Sequence, residues 1–252
     1  MAQADAHATK ENAMHARARL LPILVLAVLA LGLAAVPAVA EEGPPPRTYE
    51  VTITATSFGQ PLSPPVVATH RPGVALFEVG ELASDGIIAI AEDGNAAPAA
   101  DALSGSPLVT DVAVLAPIAP LGTRIDVPMA QSVEVTARPG DRLSIAGMLI
   151  CTNDGFVGVD RLRVPRVGER TVELGTYDAG SEANTEASVD IVDPCSLLGP
   201  VDLDGDPNGN NNDGIDTADV IAAHPGIDGA IGELLPAHDW DTAATVTVRR
   251  VP

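Results

Sequence analysis

The strongest constraint on the fold is a succession of short runs in which apolar and polar residues alternate. Tyr49, Val51 and Ile53 alternate with Glu50, Thr52 and Thr54, the period of a strand with one face buried. Runs of the same style occupy 74–79, 109–115, 132–137, 142–150, 171–177 and 244–251, with a shorter candidate at 161–164. Turn-forming stretches separate them: Arg71-Pro72-Gly73, Arg138-Pro139-Gly140-Asp141 and Val167-Gly168-Glu169. Short strands at this spacing predict an all-β protein, an antiparallel β-sandwich of about eight strands. One segment departs from the pattern. Ser84-Asp85 can cap a helix running through Ile87, Ile88, Ile90 and Ala91 to Gly94, and 96–103 can add a second. Helices this short are expected to plug one end of the sandwich rather than to form a layer.

The first forty residues read as an export signal. Arg17 and Arg19 precede an apolar run from Leu20 to Ala35, and Ala38-Val39-Ala40 is the small–x–small pattern that signal peptidase cleaves. An uncleaved N-terminal anchor is the alternative, since such a run can nearly span a bilayer. The expected organisation is a signal peptide over 1–40, a proline-stiffened linker over 41–47 and one domain over 48–252. No later apolar stretch is long enough to span a membrane, so the expected location is secreted, either extracellular or periplasmic. In such an oxidising compartment Cys151 and Cys195, the two cysteines of the chain, are best read as one disulfide.

Charge narrows the function. The 252 residues carry 34 acidic and 14 basic side chains, a formal charge of −20. A nucleic-acid partner is not expected, because phosphate neutralisation needs clustered Lys and Arg. With aromatics at only 2% of the chain, stacking platforms for sugars or single strands are not expected either. The natural small partner of so acidic a domain is a cation.

Several stretches, taken in order, resemble the spondin N-terminal domain, a module also found in secreted bacterial proteins. They are Tyr49–Thr54; Leu62-Ser63-Pro64-Pro65 with His70; and Leu76–Gly86, whose Glu78-Val79-Gly80 and Ala83-Ser84-Asp85-Gly86 carry the likeness. Met148–Gly158, Tyr177–Glu182, His224-Pro225-Gly226-Ile227 and the closing run 246–251 complete it, so that the resemblance covers about 48–251. The resemblance implies a C2-like sandwich with a Ca2+ site in the loops at one end. Carried over residue by residue, the metal ligands are Asp154, Asp178 and Glu182. Two positions depart from the family pattern. Glu182 stands where Asp is usual, and Gly155 stands where Trp is usual, which implies that part of that loop's packing is missing. The implied role is a non-enzymatic calcium-binding module for adhesion or interaction, with extracellular matrix or a cell surface as partner.

The residues themselves allow calcium, which prefers six to eight hard oxygens. Asp178 and Glu182 flank Ala179-Gly180, and the glycine permits a turn that faces both acids to one point. Solvated loop acids are the alternative, with Arg161 and Arg163 as the nearest basic partners. Asn153, Asp160 and Asn184 are further oxygen donors nearby. A second acidic stretch, an apparent insertion at 200–219, nearly spells an EF-hand loop through Asp202, Asp204, Asp206 and Asp213. Pro207 stands where that loop needs Gly, so a hydrated acidic loop is the competing reading.

Catalytic patterns are weak. Asp216-Thr217-Ala218 and Asp241-Thr242-Ala243 suggest a proton-sharing aspartate pair, but Asp216 follows Gly214 in a polar loop rather than on an apolar strand end, and no Gly-x-Ser-x-Gly elbow occurs. His70, His224 and His238 lack zinc-type spacing and are expected to be structural hydrogen-bonders. A metal-dependent hydrolase built on the same carboxylates, or a purely structural envelope protein, are the alternative functions.

Overall fold

In the computed structural model the described residues are 44–187, 190–192, 194–199, 214–227 and 236–252. The export-signal reading and the Asp202, Asp204, Asp206 and Asp213 loop lie outside them. Among the described residues ten strands form two antiparallel sheets. The first has the order β4 (Ala130–Ala137), β1 (Arg47–Ala55), β10 (Ala244–Arg250), β7 (Glu169–Glu173). The second runs β3 (Val109–Val114), β2 (Val66–His70), β5 (Arg142–Met148), β6 (Gly155–Arg163), β8 (Gly175–Asp178), β9 (Ala222–Ala223). Together they make a β-sandwich. Among the described residues no helix is long and apolar enough to cross a membrane.

The alternation along β1 builds the space between the sheets. Tyr49, Val51 and Ile53 pack with Val135, Val246 and Val248 of their own sheet against Val67, Leu143, Ile145 and Val157 of the other. The outward face of the first sheet is polar, where Thr52 bonds to Ser132 and Thr171 to Thr247 through hydroxyls 2.8 Å apart.

The helices are not end plugs. Helix α1 (Asp85–Asp93) starts at Ser84, whose hydroxyl accepts the Ile87 N–H, and stops at Gly94 in the left-handed conformation, φ 63°. With α2 (Ala97–Ser104) it covers the outer face of the second sheet. Ile87, Ile90, Ala99 and Leu103 meet Val66, Ala68, Ala146 and Phe156 there, giving three layers in place of two. Each of the two fully buried isoleucines contributes about 1.5–3 kcal/mol through burial. Phe77, Phe156 and Tyr177 join this core as a ring cluster with centroids 4.9–5.3 Å apart.

This third layer explains where alternation misleads. Strand β2 is buried on both faces, so it shows no alternation and is not recognisable by period. The expected strand at 74–79 is instead irregular. Leu76 and Phe77 are buried, but the Leu76 N–H is taken by the Asp160 carboxylate at 2.9 Å rather than by a neighbouring strand. The expected run 171–177 divides at Leu174 into β7 and β8, which belong to different sheets. The short candidate at 161–164 is the end of β6, which begins at Gly155.

Candidate functional site

One end of the second sheet gathers acids. The chain leaves β5, makes a wholly buried turn over 149–154 and enters β6 at Gly155, which pairs with Asp178 at the end of β8. The turn is closed by Thr152: its hydroxyl donates to the Leu149 carbonyl at 2.7 Å and accepts the Gly155 N–H at 2.9 Å. The disulfide Cys151–Cys195, as expected from the sequence, ties this turn to the short helix α3 (Cys195–Leu198). It packs among Met148, Ile150, Ile191, Val192, Leu198 and Ile227.

Asp154 is fully buried at the centre. Its Oδ2 accepts from the Ser181 N–H at 2.7 Å, the Ser181 hydroxyl at 3.2 Å and the Glu182 N–H at 3.0 Å. Its Oδ1 has no hydrogen-bond partner among the described residues. Burial pushes the Asp154 carboxyl above the usual carboxylate range, and the nearby Asp178 adds to the rise, while the N–H groups of 181 and 182 partly offset it. Asp178 accepts the Gly180 N–H at 2.7 Å on one oxygen and the Asn184 amide on the other. Glu182 is buried, forms a bridge to Asp216, and its carboxylate lies flat against Gly214, where an added Cβ would come within 2.4 Å. Gly180 takes φ 73° beneath Asp219, so the chain between Asp178 and Glu182 turns through a left-handed glycine. Among the described residues the carboxylate oxygens of Asp154, Asp178 and Glu182 do not all lie within 4.8 Å of one another.

Three further groups join: Glu92 and Glu186, which the sequence does not single out, and His224, expected as a structural hydrogen-bonder. Glu92, in the last turn of α1, is raised by burial, with Asp93, Asp154 and Asp216 adding to the rise. Glu186 is buried at φ 46°, and its N–H is held by Asn153 Oδ1 at 2.9 Å. His224 lies with Nε2 3.5 Å from Glu186 Oε1 and accepts the Gly226 N–H on Nδ1 at 3.1 Å. Burial holds the His224 imidazole below its ordinary pKa, against the pull of Asp178 and Asp239. Glu92 and His224 come from segments remote in sequence from the acids, while Glu186 lies four residues after Glu182.

Arg161 is engaged elsewhere, 2.6 Å from Asp160 and 3.4 Å from Glu78, and Arg163 stands across from Arg142 at the far end of the sheet. Neither neutralises Asp154 or Asp178. Asp160 itself is distant from the site, bonded to Ser144 and the Leu76 N–H. Asn184 and Asn153 are within the site, as donor to Asp178 and holder of Glu186.

The implied loss of packing at Gly155 does not occur. A Cβ there would meet Thr152 Oγ1 at 2.5 Å and His224 Cδ2 at 3.0 Å. The His224 ring packs in turn edge-on to Trp240, centroids 5.1 Å apart. Ring volume from elsewhere in the chain fills the position.

The histidines do not converge. His70 Nε2 pairs with Ser144 Oγ at 2.7 Å, and His70 faces Arg142 at the opposite end of the sheet. His238 is buried against the Gly59 carbonyl. His224 alone adjoins the acids, and its side chain has no exposed surface, so it cannot reach a substrate. Among the described residues, three potential ligand atoms lie within 4.8 Å of one another at Cys151, Cys195 and His238. Both sulfurs there are spent in the disulfide. That group is not a calcium site, since calcium takes hard oxygens.

A search of curated proteins finds no match. Comparison with protein-family profiles matches residues 49–191 to Spondin_N, a family of structural and adhesion modules, and the chain is accordingly non-enzymatic. The matched span contains Asp154, Asp178 and Glu182 and ends before the acidic stretch at 200–219. The chain belongs to the spondin N-terminal domain family.

Proposed function

We propose that this chain is a secreted, calcium-dependent adhesion or interaction module, a C2-like sandwich of the bacterial kind. Asp154, Asp178 and Glu182 are its metal ligands. The observation that carries the reading is the buried Asp154 Oδ1, which lacks a hydrogen-bond partner among the described residues. A buried carboxylate with one oxygen unsatisfied is costly unless a cation takes it. The surrounding donor set is hard oxygen, which fits Ca2+ and not a soft metal. Bound calcium would supply positive charge beside the Asp154 carboxylate. The chain's own part is to hold Asp154 through the 181 and 182 N–H groups, with Asp178 and Glu182 on either side of the Gly180 turn, from where calcium would draw their oxygens toward Asp154. Ordered in this way, the loops would present a surface for extracellular matrix or a cell surface. Export is supported by the signal-like segment before Glu41 and by the disulfide.

Isothermal titration of the full chain with CaCl2 tests the reading. Saturable binding that is lost in Asp154→Asn/Asp178→Asn is expected. Binding that survives this double substitution would move the site to the Asp202–Asp213 loop, and no binding at millimolar calcium would overturn the proposal.

A further inference from the structure

The opposite end of the sandwich reverses the charge. Arg47, Arg138, Arg142, Arg163 and Arg166 line one cavity of about 370 Å³, together with Tyr49, Pro139, Gly140, Asp141 and Val164. The whole chain has only 14 basic residues against 34 acidic ones, so this concentration is not a consequence of composition. Topology assembles it from both sheets. Arg47 opens β1 beside the end of β4, where Arg138 follows; Arg142 opens β5 and Arg163 closes β6. Arg142 and Arg163 are direct cross-strand partners, a like-charge pairing that is unfavourable by itself.

Nothing within the cavity offsets that charge. Its one carboxylate, Asp141, is enclosed and already used. It accepts the Thr110 hydroxyl at 2.6 Å and the Arg138 N–H at 2.8 Å on one oxygen, and faces Arg71 at 3.5 Å with the other. The Arg142 guanidinium donates to the Gly140 carbonyl at 3.1 Å, which orients it without neutralising it. Among the described residues Arg47, Arg138, Arg163 and Arg166 make no ion pair, and all four are exposed. Arg250 adds a further cation at the rim, donating to the Arg166 carbonyl at 2.9 Å.

We infer that this cavity is a binding site for a multiply charged oxyanion, the sulfate or phosphate groups of an anionic ligand. Guanidinium forks converging on a concave site match tetrahedral oxyanions through paired N–H···O bonds, a geometry that lysines would not supply. The cavity falls within the usual range for small-ligand sites and takes a sugar unit with its charged substituents. The inference is independent of calcium, since the cavity and the acid cluster occupy opposite ends of β5 and β6.

Fluorescence anisotropy of the full chain with a labelled heparin hexasaccharide, in EDTA and about 50 mM NaCl, tests it, with inorganic tripolyphosphate as competitor. Saturable binding is expected, weakening about tenfold or more in Arg138→Glu/Arg163→Glu and falling as salt rises. Arg170→Glu, on β7 outside the cavity, should change it less than about twofold. Displacement by tripolyphosphate assigns the site to compact phosphate; resistance to it assigns the site to the sulfated chain. Both outcomes sustain an oxyanion site. Arg163→Glu removes a like-charge pair, so its melting temperature should not fall below that of wild type, which separates lost binding from lost folding. Absence of saturable binding to either probe, binding untouched by the double substitution, or tighter binding of duplex DNA would overturn the inference.

Discussion

Asp154 and Glu182 are joined through the backbone of one and the side chain of the other: the Asp154 carboxylate accepts the Glu182 N–H at 3.0 Å. The same Asp154 oxygen also takes the Ser181 N–H, so the loop after β8 hangs on a single carboxylate from the turn before β6. Asparagine can keep both bonds through its amide oxygen while removing the buried charge. Asp154→Asn should therefore melt no lower than wild type in EDTA. Saturating calcium should raise the wild-type melting temperature by about 5–10 °C at a hundredfold excess over Kd and leave Asp154→Asn unmoved. Differential scanning calorimetry with and without CaCl2 reads both. A wild-type melting temperature indifferent to calcium contradicts the role given to Asp154.

The same pair of proteins isolates a pH dependence. Burial raises the Asp154 carboxyl above its unfolded value, so between those two values the folded state holds more protons than the unfolded one. Metal-free stability from this group is present at low pH and is lost as pH rises through the raised value. His224 and His238 act in the other direction. Their folded pKa values are depressed by burial, so their stability is present near neutrality and is lost as pH falls below about 6.5. Both proteins share the histidine effect, and subtraction removes it. The melting temperature of Asp154→Asn minus that of wild type should be positive at pH 7 in EDTA and shrink toward zero near pH 4. A difference that stays flat across the range contradicts the cost assigned to the buried carboxylate.

How far the sequence foretold this site depended on the kind of contact involved. Strands with one face in the core, such as β1 and β10, announce themselves by period, and α1 by its Ser84 and Gly94 caps. Strand β2 does not, because the helices cover its second face and erase the alternation. Asp154, Asp178 and Glu182 were singled out through the family resemblance of the segments that carry them. Glu92 was not, because α1 meets the acids only after the sheet has formed. Glu186, four residues past Glu182, and His224, expected as a structural hydrogen-bonder, gave no sign of their pairing with each other. Their local sequence contains no trace of that meeting. The basic cavity escaped for the same reason, its arginines being dispersed singly at the ends of β1, β4, β5 and β6.

The disulfide closes a loop with a sequence separation of 44 that contains β6, β7, β8 and the whole 178–186 segment. Chain entropy in the unfolded state assigns such a bridge about 2–4 kcal/mol. Reduction with a membrane-permeant or phosphine reductant, or the Cys151→Ala/Cys195→Ala pair, should lower the melting temperature by about 4–12 °C. The site should suffer as well, since Cys151 lies three residues before Asp154 in the same buried turn. Calcium affinity of the reduced, still folded protein is expected to be weaker than that of the oxidised one. Equal affinity in the two forms would show that the turn is held by Thr152 and the Asp154 bonds alone.

Gly155, where the resemblance implied a Trp, supplies a sharp test of packing in the turn before β6. The position is closed by Thr152 Oγ1 at 2.5 Å and His224 Cδ2 at 3.0 Å from where a Cβ would stand. The Thr152 hydroxyl cannot retreat without giving up the Leu149 carbonyl and the Gly155 N–H, and His224 is braced by Trp240. Even Gly155→Ala should therefore cost about 1–3 kcal/mol through overpacking, and Gly155→Trp more. Combining Gly155→Ala with Thr152→Gly removes the nearest obstruction but also the turn-closing hydroxyl, so the double variant should not recover the full loss. Chemical denaturation of the three variants against wild type measures these differences. If Gly155→Trp proves as stable as wild type, His224 and Trp240 are not the fillers of that position. The Trp would then be accommodated by a rearranged turn.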